Sequence, residues 1–234
     1  MQRVLPSYPL FVKDPNFSLW MPADDPTQAN VTSWWGEKKP VYGFVKTEEG
    51  TYCFLGAYDD VKDCGVLRAE AQDVKVSSFT TDYTFRAGKA TLAVSFVSPL
   101  PPNDLDLLSL PACYLNFEVT GVKSAEVSLF VNRRVCYNDI AQTQDKQVRG
   151  GVAKQEKYEA AFFGLRRQMY LSNNDDGIGA DWGYWYVAGK EAYLTDSMGL
   201  AAYLAAGNRS FPHRADEKYI VALGGKKGRI AVAY

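Results

Sequence analysis

Hydrophobic side chains recur at every second position through the middle of the chain, and no other feature limits the possible folds so sharply. From Ala90 to Phe96, Leu92, Val94 and Phe96 alternate with Thr91, Ala93 and Ser95. Successive side chains of a strand point to opposite faces, so this places one set on a single face. Tyr83 and Phe85 do the same upstream, and Arg86-Ala87-Gly88-Lys89 between the runs supplies a glycine for positive φ. The two runs therefore read as a β-hairpin.

The same pattern returns along the chain. Leu115, Phe117 and Val119 alternate before Gly121, and Val127, Leu129 and Val131 follow it. Gly43 to Lys46 pairs with Thr51 to Leu55 across Thr47-Glu48-Glu49-Gly50, and Tyr219 to Leu223 and Arg229 to Tyr234 flank Gly224-Gly225-Lys226-Lys227-Gly228 as a hairpin tip. Successive hairpins predict a mainly antiparallel architecture. Glu156 to Gln168 is the best helical candidate, with Tyr158, Phe162 and Leu165 near helical spacing, but Gly164 interrupts it. A strand from Ala160 to Leu171 fits equally, and strand is the reading adopted. Pro99 to Asp104 cannot continue a ladder, since proline removes a donor, so it connects sheet segments. With 14% aromatic residues, 19 glycines and 11 prolines, the prediction is an all-β chain folded as one large antiparallel β-sandwich over residues 1–234, with 1–40 as an extended lead-in.

A chain of 234 residues with 47% hydrophobic content buries roughly 70–75% of its unfolded surface and needs neither metal nor disulfide to fold. Its 26 basic and 27 acidic residues nearly cancel without blocks of like charge, which argues against nucleic acid or an anionic membrane as partner. No apolar run approaches the ~18 residues of a spanning helix, and Met1 to Pro9 lacks the order of a signal peptide. The sequence as written is expected in the cytoplasm, with secretion left open. Cys53, Cys64, Cys113 and Cys136 are widely spaced and form no Cys-x-x-Cys pair, so buried free thiols are expected rather than zinc or redox chemistry, with disulfide bridges the alternative in an oxidising compartment.

Candidate chemistry is sparse. His213, the single histidine, stands in Phe211-Pro212-His213-Arg214 without a neighbouring ligand cluster. Asn173-Asn174-Asp175-Asp176-Gly177 bunches oxygen donors but lacks the alternate acids and distal glutamate of a calcium loop, so it reads as a turn. Asp24-Asp25 and Asp59-Asp60 are the available paired carboxylates, and adjacent acids do not flank a scissile bond. No catalytic residue, metal ligand or cofactor is assigned. The aromatic groups say more, since rings give both core bulk and platforms for flat or sugar-like ligands. Alternation over Asp181 to Val187 puts Trp182, Tyr184 and Tyr186 on one face and Gly183, Trp185 and Val187 on the other. One face belongs to the core and the other covers a neighbour. Trp34, Trp35, Asp181, Trp182 and Tyr184 are therefore the candidate interdomain or ligand surface.

Several segments in order, Leu5 to Leu10, Asp14-Pro15-Asn16-Phe17-Ser18-Leu19-Trp20, Trp34-Trp35-Gly36, Thr81 to Gly88, Ser98 to Leu105 and Ala180-Asp181-Trp182-Gly183, resemble the glutaminase A-like family. Its members carry an amino-terminal β-sandwich followed by a helical-toroid domain. The resemblance spans nearly the whole chain. It implies a supersandwich-like fold and a helical domain of the same protein beyond Tyr234 as partner; a small amide is the ligand the family name suggests, and a carbohydrate the one the sandwich and its aromatic groups suggest. No catalytic motif carries over with it. The expected role is a noncatalytic module packed on a helical domain, with a carbohydrate-binding module as the alternative.

Overall fold

The computed structural model describes residues 5–138, 147–168, 182–207 and 218–234. Its strands are, in chain order, β1 (Tyr8–Val12), β2 (Ser18–Met21), β3 (Thr32–Ser33), β4 (Val41–Thr47), β5 (Gly50–Leu55), β6 (Leu67–Arg68), β7 (Glu70–Val76), β8 (Thr80–Ala87) and β9 (Ala90–Val97). After helix α1 (Leu105–Ser109) come β10 (Ala112–Thr120), β11 (Ala125–Asn132), β12 (Val148–Lys154), β13 (Glu159–Leu165), β14 (Trp185–Gly189) and β15 (Glu191–Thr195). Helix α2 (Ser197–Ala206), β16 (Tyr219–Leu223) and β17 (Lys227–Ala233) complete the order.

The strands form an eight-stranded sheet, β12-β13-β14-β17-β10-β9-β8-β7, and a six-stranded sheet, β15-β16-β11-β4-β5-β6, with β1-β2-β3 as a third, small sheet. Every strand pair is antiparallel except β5 with β6. The fold is the expected all-β sandwich. Its core lies between the facing sides of the two large sheets, where Phe54 of the smaller meets Phe85 of the larger with ring centroids 5.7 Å apart. Residues 8–33, within the expected lead-in, supply the third sheet, and Phe11 packs edge-on against Phe96 at 5.4 Å.

The large sheets differ in how their faces are covered. β8, β9 and β10 alternate buried and more exposed residues, so one face of the larger sheet meets the core and the other meets water. β11, β4 and β16 read as nearly unbroken buried runs. Their second face is covered by α2 and the 58–66 segment, where Phe44, Phe130, Tyr203 and Tyr219 form a separate apolar cluster. Helix α2 starts at Asp196, whose side chain accepts from Gly199 N at 2.8 Å, and stops at Gly207, φ 63.

The hairpins expected around Gly88 and across Glu48-Glu49 are present. Two others are not hairpins. β10 lies between β9 and β17 in the larger sheet, whereas β11 lies between β4 and β16 in the smaller, so Gly121, φ 81, begins a crossing between sheets. Gly224-Gly225-Lys226 likewise passes from β16 to β17 in the other sheet rather than closing a hairpin. The crossings run side by side: Val119 N donates to Lys226 O and Gly224 N to Val127 O, each at 2.8 Å. The segment Glu156 to Gln168 contains β13, a strand as adopted.

Burial sets the protonation of the core. It pushes the Cys53 thiol up to about 12 and the Cys113 thiol up to about 11, and it raises Cys136, Tyr42, Tyr83 and Tyr219 as well. A raised folded-state pKa contributes stability that is complete below the unfolded value and lost as pH rises toward the folded one. Unfolded thiols and phenols titrate near about 8.5 and 10. Urea midpoints are therefore expected to hold steady at neutral pH and fall progressively above about pH 9. Lys39, whose pKa burial lowers, acts in the opposite sense, but one group does not offset six. A midpoint that rises between pH 9 and 11 would contradict this accounting.

All four cysteines are free; Cys53, Cys113 and Cys136 are buried and Cys64 is partly exposed. Aromatic disulfide reagents are expected to label Cys64 rapidly and the other three only after unfolding. Mass spectrometry of the native chain at short times checks this, and prompt labelling of Cys136 would count against the described core.

Candidate functional site

Trp34 and Trp35 follow β3 in a tight turn. Gly36 N donates to Ser33 O, Ser33 N to Glu37 O, and Gly36 takes φ 90, a conformation that favours glycine. The two indoles meet edge-on, 5.6 Å apart at 84°. Trp34 is left 50% exposed. Trp35 is half-buried, donates Nε1–H to Glu37 Oε2 at 3.3 Å, and lies 5.8 Å from the Lys39 ammonium. Lys39 is buried, pairs with Glu37 Oε1 at 3.3 Å, and donates to the carbonyls of Arg134 and Tyr137 and to Asn138 Oδ1. Burial lowers its pKa, opposed by the Glu37 carboxylate.

The second aromatic group is built around β14. Alternation placed Trp185 and Val187 on the face opposite Tyr186; Trp185 and Val187 turn out to face the core while Tyr186 stays exposed. Trp185 packs edge-on against Phe17 at 5.0 Å and against Tyr234 at 5.5 Å. Trp182, in the bend before the strand, is 37% exposed and rests on Tyr234 at 5.9 Å, whose hydroxyl donates to Trp182 O. Gly183, φ 82, permits that approach, since a Cβ there would lie 2.7 Å from Tyr234 Oη. Tyr184 accepts from Arg149 Nε at 2.8 Å and packs edge-on against Phe162. Asp181 lies outside the described residues, as do His213 and Asn173 to Gly177.

The 12–18 turn touches both groups. Val12, Lys13, Asp14, Pro15, Ser18 and Trp34 line one shallow groove of about 420 Å³, while Phe17 in the same turn packs on Trp185 and Tyr234. Asp14 Oδ1 fixes the turn by accepting from the amides of Asn16 and Phe17. Lys13 reaches the carbonyls of Pro99, Leu107 and Leu108, and Tyr234 N donates to Pro111 O at 3.1 Å. That ties in the 99–111 connection, where Leu105, Leu108 and Leu110 are exposed. One end of the sandwich thus gathers Trp34, Trp182 and three leucines at its surface. The sequence candidates named Trp34 and Trp182, beside Trp35, Asp181 and Tyr184, but not Phe17, Tyr234 or the leucines. Leu105 to Leu110, an apolar run between prolines, was the available signal.

The paired acids hold structure. Asp24 accepts from Tyr8 Oη; Asp25 binds Thr27 and Arg68; Asp59 pairs with Lys62; and Asp60 accepts from Tyr42, Asn30 and Lys38. Among the described residues no three His, Cys, Asp or Glu side chains converge as a metal site, and no helix is long and apolar enough to cross a membrane.

Fold and surface together define a large antiparallel β-sandwich module with one apolar, exposed end. The chain belongs to the family described as a domain of unknown function, DUF5127, whose model matches residues 80–211. A second domain of unknown function, DUF4964, matches residues 2–64. The chain is also similar to Glutaminase A of Aspergillus oryzae, 27% identical over 198 residues that cover 78% of this chain and 27% of that protein. It spans only about a quarter of that relative's length.

Proposed function

We propose that this chain is a noncatalytic β-sandwich module that docks through its apolar end onto a helical domain of a longer protein, and that the longer protein hydrolyses amides, glutamine first among them. The exposed end carries the reading. Trp34, Leu105, Leu110 and Trp182 are 50%, 72%, 45% and 37% exposed; Tyr234 bonds the Trp182 bend to the 99–111 connection, Lys13 bonds that connection to the 12–18 turn, and Trp34 lines a groove with the same turn. Apolar side chains gathered this way on rigid supports mark an interaction surface, whereas scattered single ones do not. A partner domain of the same polypeptide is the simplest occupant, given a relative nearly four times as long as the aligned part. The structural employment of Asp24, Asp25, Asp59 and Asp60 supports the noncatalytic half of the reading.

The test is ammonia release from glutamine, measured in parallel for this chain and for a longer protein containing it. The module alone is expected to show none above buffer, with turnover confined to the longer protein. Comparable turnover by the 234-residue chain would contradict the proposal.

A further inference from the structure

The solvent side of the larger sheet carries an ordered polar row. Asp82 of β8 stands opposite Ser95 of β9, Ser95 opposite Asn116 of β10, and Asn116 opposite Arg229 of β17. The parallel row beside it runs Thr84, Ala93, Glu118 and Lys227. The central strand contributes only the short Ala93 and Ser95, while its neighbours contribute longer side chains. The result is an open cleft of about 600 Å³ across the strands, within the size range of small-molecule sites.

The polar groups are held in place and only partly used. Arg229 lies over the Tyr114 ring at 4.8 Å and donates Nε–H to Asn116 Oδ1 at 2.7 Å. Thr80 Oγ1 donates to Asp82 Oδ2 at 2.8 Å. Each planar group is oriented by one protein bond and keeps others for a ligand: the second Asp82 oxygen, the Asn116 amide nitrogen and the terminal guanidinium nitrogens of Arg229. Orientation before binding lowers the entropy cost of capture.

We infer that this cleft binds a neutral oligosaccharide lying across the strands. Two carboxylates, Asp82 and Glu118, offset two cations, Arg229 and Lys227, so the cleft favours neither an anion nor a cation. A hydroxyl both donates and accepts, so a chain of them can meet carboxylate, amide and guanidinium in turn. A peptide strand cannot add to the sheet here, because the backbone groups beneath are committed to the ladder. The cleft shares no residue with the docking end, and the inference is independent of that reading.

The test is calorimetric titration of the chain with maltohexaose, cellohexaose and xylohexaose, with circular dichroism confirming the fold of each variant. At least one sugar is expected to bind. Asn116→Ala should weaken binding about tenfold, the scale of one lost hydrogen bond. Ala93→Arg, at an exposed position on the cleft floor, should abolish it, and Trp34→Ala should leave it unchanged. No binding of any of the three at roughly millimolar concentration would overturn the inference. So would binding that survives both Asn116→Ala and Ala93→Arg, or binding that disappears with Trp34→Ala.

Discussion

Phe130→Ala is expected to lower folding stability by about 3–5 kcal/mol, the usual cost of removing a fully buried ring and leaving its cavity. Phe130 is completely buried on the second face of β11 and meets Phe44 at 5.6 Å, Tyr203 at 5.4 Å and Tyr219 at 6.3 Å. These rings come from two neighbouring strands and from α2, so the substitution opens the joint between the helix and the sheet as well as a cavity. Collapse is hindered because the strands are held by their ladders. The urea midpoint should fall with little change in its slope. Trp34→Ala, at a half-exposed ring, should barely move it. A loss below about 1 kcal/mol for Phe130→Ala would show that α2 is not packed as described.

Lys39→Ala is expected to cost a similar amount, about 3–5 kcal/mol, through electrostatics rather than volume. The Lys39 side chain is 5% exposed and its Glu37 partner 11%. The substitution takes the cation away from that carboxylate and from the carbonyls of Arg134 and Tyr137, while all three remain largely out of water. Lys39→Met keeps most of the apolar stem and should still lose most of the stability, which separates lost charge from lost packing. Local effects follow from the geometry. The 133–138 segment loses its tie to the turn bearing Trp35, so amides there should exchange faster and Trp35 fluorescence should shift. Near-native stability of both variants would mean that Glu37 and the two carbonyls lose nothing when the ammonium is removed.

Where the sequence was legible, it was legible about faces. That Trp185 and Val187 share a face opposite Tyr186 followed from the period of two, and the turns at Gly88 and Glu48-Glu49 followed from turn chemistry. Neighbours were a different matter. Alternation says which way a side chain points and not which strand lies beside it, so the runs around Gly121 and Gly224 looked like hairpins although each changes sheet. Helix α2 escaped for a related reason. Ser-Met-Gly-Leu-Ala-Ala-Tyr-Leu-Ala-Ala is apolar nearly all round and offers no contrasting stripe. Its cap residue Asp196 and stop at Gly207 were the only local marks. The apolar end was half legible for the same physical reason. Phe17 and Tyr234 meet Trp185 only once β14, β17 and β10 lie side by side, a juxtaposition no local pattern records.

The central claim, that the end bearing Trp34, Leu105 and Trp182 docks onto another domain of a longer protein, is tested most directly by hydrogen–deuterium exchange of that longer protein against this chain alone. The docking account predicts added protection concentrated in the 12–18 turn, the turn around Trp34, the 99–111 connection and the segment from Trp182 to Tyr186. Protection unchanged there, or confined to the opposite end of the sandwich, would contradict it.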